Sequence, residues 1–254
     1  MKSLDHTVLR QWANLIAIIA AFGINVFANI APVNGLSIGD ISNRFFSEVQ
    51  IIPANYAFAI WGLIYLGLIS FGIYQVLPAQ RDNPHLRQIG YFLVVASLAQ
   101  IVWIFLFEYQ RFVLSLVAML VILLPLIAIY WRLRIGEQRV SRQEKWLVHI
   151  PLSIYLAWIS VATIVNVAIA LYSLGWRGEP LSPEIWTVIM ILVGGGIAAT
   201  IARKRVDIAF PLVIIWAFIA IAVRQANQPL IAMTAGGVAL GLGLFLLLGW
   251  LRRS

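Results

Sequence analysis

The chain has 254 residues, of which 62% are hydrophobic and only 11% are charged, and its mean hydropathy is +0.92. A water-soluble domain normally contains about 45–50% apolar and about 25% charged residues, so this composition excludes a soluble globular protein. The net charge of +8 comes from basic residues dispersed between apolar segments. That dispersal fits loops beside anionic lipid, and we expect no nucleic-acid partner.

Eight segments are predicted to cross a membrane as helices. A hydrocarbon layer of about 30 Å requires about 20 mostly apolar residues, and backbone groups cannot stay unpaired in lipid. In chain order, the predicted spans are residues 12–30, 53–77, 88–108, 112–131, 147–173, 184–202, 207–224 and 229–251. We interpret the first as a helix and not as a cleaved signal. The predicted fold class is an all-α membrane protein with about eight transmembrane helices.

The distribution of charge predicts the orientation of these helices. The N-terminus, the C-terminus and the loops 78–87, 132–146 and 203–206 together hold 14 of the 18 Lys and Arg residues. The opposite side holds Arg44, Arg111, Arg177 and Arg224. Because basic loops favour the cytoplasmic side, both termini are predicted to be cytoplasmic.

Four predicted spans each place polar and aromatic side chains on one face. Polar groups inside a membrane are costly and usually face the interior of the bundle, so they indicate a candidate site. The four faces contain Phe22, Asn25 and Asn29; Phe58, Trp61 and Tyr65; Gln100, Trp103 and Phe107; and Tyr155, Trp158, Ala162 and Asn166. Two interpretations are open. The residues line a ligand pocket, or the amides join helices while the aromatic rings only pack.

Metal and nucleophile chemistry has little support in the sequence. The chain has no cysteine, and its three histidines, His6, His85 and His149, are scattered. We therefore expect no protein-held metal and assign no catalytic residue. His149 is interpreted as a helix cap or interhelical contact in preference to a heme ligand. Glu108 and Arg224 are expected at the outer membrane interface.

Three segments resemble a known family. The run from Pro53 to Gly67 (PANYAFAIWGLIYLG) resembles the second-helix signature of the tryptophan-rich sensory protein and translocator protein family (TspO/MBR). The run from Tyr155 to Asn166 (YLAWISVATIVN) is similar to the fifth-helix signature. Residues 98–111 resemble the third helix and the turn after it. The resemblance covers roughly residues 12–174.

This resemblance implies a five-helix bundle over residues 1–174, with a pocket covered by the loop between the first two helices. Family members bind porphyrins, and some bind sterols or synthetic ligands. By position, Trp61 and Trp158 would flank a planar ligand, while Asn166 would make a polar contact or a helix–helix bond. The ligand-binding residues expected from the faces and the resemblance are Trp61, Tyr65, Gln100, Trp103, Trp158, Ala162 and Asn166.

The sequence also departs from the family pattern. Gln100 stands where the family usually has Asn, Met119 where it often has Asp, and Val167 where it often has Tyr. Ala54 replaces the second proline of a pair. The first loop, about residues 31–52, is longer than usual and is predicted to contain a short amphipathic lid helix. These changes leave the identity of the ligand open.

Residues 175–254 are predicted to form three additional transmembrane helices outside the resemblance. Their glycines, including the pair Gly237-x-x-x-Gly241, are expected to allow close helix packing. We expect a packing or assembly role for this region. A transport path shared with the preceding helices would instead require Trp216 or Arg224 to face a common cavity.

Together with the aromatic faces, the resemblance implies a sensory or regulatory membrane receptor for a planar apolar ligand of the tetrapyrrole or porphyrin type. No cofactor is expected apart from such a possible tetrapyrrole ligand. The expected partners are this small molecule and the lipid bilayer, with a homodimer as a further possibility. The alternatives are an enzyme for oxidative porphyrin breakdown and a small-molecule transporter.

Overall fold

The computed structural model describes residues 2–251, with side chains described except at residues 2–5 and 250. This range contains helices and turns but no strand. The α-helices are α1 (Lys2–Ile30), α2 (Ile38–Phe45), α3 (Ile60–Val76), α4 (Pro84–Ile89), α5 (Phe92–Glu108), α6 (Phe112–Arg132), α7 (Arg142–Glu144), α8 (Ile150–Ser173), α9 (Pro183–Lys204), α10 (Ala209–Arg224) and α11 (Pro229–Leu251). Arg252 and Arg253, which contribute to the predicted charge bias, lie outside the described residues.

Six helical stretches are long and apolar enough to cross a membrane. They are His6–Ile30, Asn55–Val76, Phe112–Arg132, Arg142–Ser173, Pro183–Lys204 and Pro229–Gly249. The helices α5 and α10 are also apolar but have only 17 and 16 residues. At 1.5 Å per residue they extend about 25 Å, less than a hydrocarbon layer of about 30 Å. Length and composition therefore identify six candidate crossings among the described residues.

Local turns shift several predicted boundaries. The predicted third span started at residue 88, but Gly90, with a φ of 56°, ends α4 and delays the start of α5 to Phe92. Glycine adopts positive φ without a steric penalty, so it permits this break. The fifth predicted span started at residue 147, whereas a continuous helical stretch begins at Arg142 and includes a π-turn at Lys145–His149.

Five helices form a closed ring of neighbours. Helix α1 contacts α3, α3 contacts α8, α8 contacts α6, α6 contacts α5, and α5 contacts α1. Two glycines allow α3 to approach its neighbours closely. A Cβ atom at Gly67 would lie 3.0 Å from the Pro151 Cβ of α8, and one at Gly72 would lie 2.7 Å from the Leu15 Cδ1 of α1. We call these five helices the ring.

The remaining long helices form a second group, which we call the C-terminal layer (α9, α10 and α11). Its members contact one another, and α10 packs against α8 of the ring. A Cβ atom at Gly195 would lie 2.5 Å from Val238 Cγ1, so α9 and α11 approach closely there. By contrast, a Cβ atom at Gly237 or Gly241 would have no neighbour within 4 Å. The expected close packing at the Gly237–Gly241 pair was therefore wrong for contacts within the described chain.

Candidate functional site

The seven predicted site residues lie on three helices of the ring. Helix α3 carries Trp61 and Tyr65, α5 carries Gln100 and Trp103, and α8 carries Trp158, Ala162 and Asn166. Five of them are buried, while Trp61 and Ala162 are half-buried. Their polar atoms form two separate hydrogen-bonded groups.

Gln100 is at the centre of the first group. Its Nε2 donates to Tyr65 Oη, and its Oε1 accepts from Tyr155 Oη. Tyr65 Oη also donates to the carbonyl oxygen of Ala21 at 3.3 Å. One amide and two phenols thus connect α1, α3, α5 and α8. We call Tyr65, Gln100, Tyr155 and the ring of Trp61 the Gln100 cluster.

Asn166 organises the second group. Its Oδ1 accepts from Trp103 Nε1 at 2.7 Å, and its Nδ2 donates to Ser115 Oγ at 3.0 Å. These bonds join α5, α6 and α8. The two groups therefore use the polar atoms of Gln100, Trp103 and Asn166 to connect helices, as one of the two interpretations of the sequence expected.

The aromatic rings have different neighbours. Trp61 stacks on Tyr65 with centroids 5.6 Å apart and an interplanar angle of 28°, and its ring lies 6.3 Å from Tyr155. Trp158 packs edge-on against Phe58 at 5.9 Å. The two indoles expected to flank a ligand are therefore each placed against other aromatic rings. Stacked and edge-to-face contacts of this kind stabilise the packing.

Two cavities in the described residues lie outside this aromatic region. The smaller has a volume of about 30 Å³ between α8, α9 and α10. The larger has a volume of about 1290 Å³ and lies between α3, α8 and α10. None of the seven predicted site residues lines either cavity.

We call the larger cavity the lateral cleft. Its wall extends from the loop after α6 to the middle of α10 and is predominantly apolar. It is lined by Ala59, Ile60, Leu63, Ile135, Gly136, Glu137, Gln138, Arg139, Val140, Lys145, Trp146, His149, Ile150, Ile154, Val206, Asp207, Ile208, Ala209, Leu212, Val213 and Trp216. At one end, Trp216 Nε1 donates to the carbonyl oxygen of Ala57 at 3.1 Å. This bond links α10 to the turn before α3.

Sequence analysis missed the polar junction at the opposite end of the lateral cleft. Asp207, which is 6% exposed, accepts hydrogen bonds from Tyr130 Oη at 2.8 Å and Ser153 Oγ at 2.6 Å. Its other carboxylate oxygen accepts from the N–H of Ala209 at 3.0 Å, at the start of α10. The available signal was an aspartate just before an apolar helix, a residue that often binds the first N–H groups of a helix. Nothing in the sequence indicated its partners Tyr130 on α6 and Ser153 on α8.

His149 also lies in the wall of the lateral cleft. It is 5% exposed, and its Nε2 is buried without a hydrogen-bond partner among the described residues. The expectation that His149 acts as a helix cap or interhelical contact therefore does not account for this nitrogen. Buried polar atoms are normally hydrogen-bonded, so an unpartnered one requires a specific explanation.

Residues 31–54, which connect α1 to the 3-10 turn Asn55–Ala59 before α3, contain the expected short helix, α2. A capping box begins α2, since the N–H of Asp40 donates to Ser37 Oγ at 3.2 Å and the N–H of Ser37 donates to Asp40 Oδ2 at 3.1 Å. The Ser37 hydroxyl also donates to Asp40 Oδ2 at 2.7 Å. The hydroxyl bond, followed by the backbone bond, lowers the pKa of Asp40 below its ordinary value. We call residues 31–54 the lid segment.

Both helix groups hold the lid segment. Glu108 of α5, expected at the interface, is fully buried and accepts a hydrogen bond from the N–H of Val33 at 3.3 Å. Arg224 of α10 donates to Asn43 Oδ1 at 3.1 Å. Glu108 and Arg224, which the sequence places at outer helix ends, therefore both bind the lid segment, a role that the sequence did not indicate.

A family model described as TSPO-like protein matches residues 11–248. The match confirms the resemblance and extends it, because the sequence motifs covered only residues 12–174 whereas the family model also includes most of the C-terminal layer. Comparison with curated proteins and with solved structures gave no match. The family match agrees with the six apolar helices long enough to cross a bilayer. The chain therefore belongs to the TSPO-like protein family and is a multi-pass integral membrane protein.

Proposed function

We propose that this protein is a membrane receptor that binds a planar, apolar ligand of the porphyrin type among α1, α3, α5 and α8. In this proposal the chain crosses the bilayer eight times, with both termini in the cytoplasm. The ring corresponds to the five-helix bundle implied by the resemblance. The lid segment covers the outer end of the ligand site.

The observation that carries the proposal is the stacked pair of Trp61 and Tyr65. Gln100 holds the phenol of Tyr65 in place, and Trp61 remains half-buried beside it. An indole face of fixed orientation favours a flat conjugated ring system, because aromatic rings gain most from offset stacking or edge contact. The Gln100 cluster contains no charged side chain, which favours a neutral ring system over a charged one.

Ligand entry requires movement in this proposal. The predicted site residues line neither cavity, and the Gln100 cluster is closed by its own hydrogen bonds. The lid segment is the candidate for this movement, since it contains one short helix and otherwise turns. Opening it would withdraw Ile41, Phe46 and Ile52 from the hydrophobic core and break the hydrogen bonds at Val33 and Asn43. A bound ligand would therefore stabilise an open arrangement that is less populated without it.

Titration of the purified protein with protoporphyrin, followed by porphyrin absorbance, tests the proposal. Ala162→Trp places a large side chain beside the proposed site and should weaken binding at least tenfold. Val167→Trp provides a matched control on the same helix, because Val167 is exposed. The control should bind as the original protein does.

Two further measurements keep this test decisive. The melting temperature of each variant distinguishes lost binding from lost folding, and Ala162→Leu provides a milder change if the Trp variant unfolds. Equal porphyrin affinity in the original protein, Ala162→Trp and Ala162→Leu would contradict the proposal. The aromatic residues would then serve packing alone.

Oxidative porphyrin breakdown is the first alternative. It would use Trp61 and Trp158, whose indoles can be oxidised and which would flank the ligand if the resemblance holds at these positions. Illumination of the porphyrin complex, with absorbance spectra recorded over time, tests this activity. Product formation that persists in the Trp61→Phe/Trp158→Phe double variant, with binding intact, would exclude a redox role for these two residues.

Transport is the second alternative, and one observation favours it. Trp216 lines the lateral cleft together with residues of α3 and α8, so the ring and the C-terminal layer share a cavity. A porphyrin flux assay in proteoliposomes, with Leu212→Trp as the variant that obstructs the cleft, tests this function. Flux that is unchanged by obstruction would exclude a path through the lateral cleft.

A further inference from the structure

The lateral cleft has the dimensions of a site for one leaflet of a bilayer. From Lys145 to Ile154 its wall follows nine residues of helix, or about 14 Å at 1.5 Å per residue. That length is about half of a hydrocarbon layer of about 30 Å. Trp146, 59% exposed, lies at the loop end of the cleft, where an interfacial indole is typical. The cleft therefore extends from a membrane interface toward the bilayer centre.

The deeper part of the lateral cleft is apolar and open at its rim. Leu63 and Leu212 are each 53% exposed, and Trp216 is 36% exposed. In a membrane, such side chains contact hydrocarbon and not water. The volume of about 1290 Å³ exceeds the usual range of about 300–1000 Å³ for a pocket holding a drug-sized molecule. Size and lining both favour a molecule with long hydrocarbon chains.

The loop end of the lateral cleft carries two exposed cations without ion-pair partners among the described residues. Arg139 and Lys145 are exposed, and neither side chain forms an ion pair among the described residues. Glu137 is already paired with Arg205 at 2.9 Å. The buried carboxylate of Asp207 accepts from neutral hydroxyl and backbone donors; it keeps its negative charge but forms no ion pair with Arg139 or Lys145. The two free cations therefore favour an anionic group at this end.

His149 adds a specific polar position to the same end. Its side chain is 5% exposed, lines the cleft and has a buried Nε2 without a partner among the described residues. In the tautomer with hydrogen on Nε2, this atom can donate to a phosphate or ester oxygen. Because Nε2 itself is buried, the imidazole would rotate toward the cleft for a ligand headgroup to satisfy this unpaired atom.

We propose that the lateral cleft binds an anionic phospholipid, with its phosphate between Arg139, Lys145 and His149 and its acyl chains along Leu63, Leu212 and Trp216. Basic pockets between transmembrane helices recognise acidic headgroups by this combination of charge and apolar surface. The site is distinct from the Gln100 cluster and does not depend on porphyrin binding. It also gives the C-terminal layer a function in ligand recognition, because α10 forms one wall.

Native mass spectrometry and thermal melting of the full chain in detergent test this proposal. Phosphatidylglycerol and phosphatidylcholine with identical acyl chains are the probes. We expect one phosphatidylglycerol to remain bound with at least tenfold preference over phosphatidylcholine and to raise the melting temperature more. Equal retention of the two lipids would overturn the proposal.

Charge variants locate the headgroup. Arg139→Gln/Lys145→Gln should lose most of the preference for phosphatidylglycerol, and His149→Leu should weaken it further. Arg81→Gln/Arg203→Gln is the matched control, because both residues are exposed cations outside the cleft wall. A control that loses the preference equally would show attraction to net charge alone and overturn the assignment.

Two additional probes separate the headgroup from the chains. Leu212→Trp fills the apolar part of the cleft and should reduce retention of both phospholipids. Soluble glycerol 3-phosphate should give at most one tenth of the protection by phosphatidylglycerol. If it protects equally, the site binds a free anion and the lipid assignment is wrong. Protoporphyrin titration of the same variants distinguishes failure here from failure at the Gln100 cluster.

Discussion

The Gln100 cluster and the lateral cleft both involve α3 and α8, yet they use the two helices in opposite ways. In the Gln100 cluster, the amide of Gln100 is bonded to two phenols, and its residues line neither of the two cavities described above. In the lateral cleft, two cations and a buried imidazole nitrogen have no partner among the described residues, beside about 1290 Å³ of space. The polar atoms of the Gln100 cluster are therefore paired with one another, whereas the lateral cleft has open space and polar groups without partners.

This difference separates two roles of polar residues in a membrane protein. Polar atoms that bond to one another between helices contribute to stability and orientation, since an unpaired polar group in lipid is costly. Polar atoms beside open space can bind another molecule. The residues that carry the family resemblance mainly bond to one another between helices, while the wall of the lateral cleft contains polar groups beside open space.

The largest expected effect is at the polar junction of the lateral cleft. Asp207→Ala removes the shared acceptor of Tyr130 and Ser153 and the acceptor for the N–H groups of Ala209 and Phe210 at the start of α10, which should cost about 3 kcal/mol of unfolding free energy. Chemical denaturation in detergent measures the change. Asp207→Asn keeps one carbonyl oxygen and should lose less than half as much. Equal losses in both variants would show that charge, and not hydrogen bonding, maintains the junction.

Gln100→Leu is the corresponding test of the Gln100 cluster. It leaves the buried hydroxyl of Tyr155 without its acceptor and should cost about 2 kcal/mol, because a buried polar group then loses its hydrogen bond. The lateral cleft should still prefer phosphatidylglycerol. Gln228→Leu, an exposed position, is the control and should change the melting temperature little. A melting temperature unaffected by Gln100→Leu would contradict the importance of this network.

A smaller effect is expected within the C-terminal layer, where α9 meets α11. Gly195→Ala brings a methyl group to within 2.5 Å of Val238 Cγ1 and should cost about 1 kcal/mol through overpacking. Gly196→Ala is a matched control in the next position, since no atom lies within 4 Å of its Cβ. That control should be neutral or stabilising, because alanine favours the helix. The order of the two melting temperatures provides the measurement.

The smallest effect is expected at the attachment of the lid segment to the C-terminal layer. Arg224→Gln shortens the side chain that bonds Asn43 Oδ1 and the carbonyl oxygen of Pro53, and should cost about 0.5 kcal/mol. Hydrogen exchange in the lid segment should become faster while the ring is unchanged. Arg44→Gln removes a cation from the lid segment itself and should leave exchange unaltered. Unchanged exchange in Arg224→Gln would show that other contacts hold the lid segment.

The sequence by itself determined the class of protein, the approximate position of each long helix and the family. These properties depend on composition and on spacing along one segment, which are local. The aromatic and amide faces around Trp61, Gln100 and Trp158 were visible because helical periodicity places such residues on one side. Even α2 was predictable, since its capping residues lie within one turn.

Only the tertiary structure decided which polar atoms meet and where space remains. Gln100 bonds to phenols that are 35 and 55 residues away in the sequence, and Trp216 bonds to a carbonyl 159 residues away. The lateral cleft exists because α10 packs on α8 while standing apart from the middle of α3. Space between helices depends on how distant segments pack, and the periodicity of one segment contains no information about it.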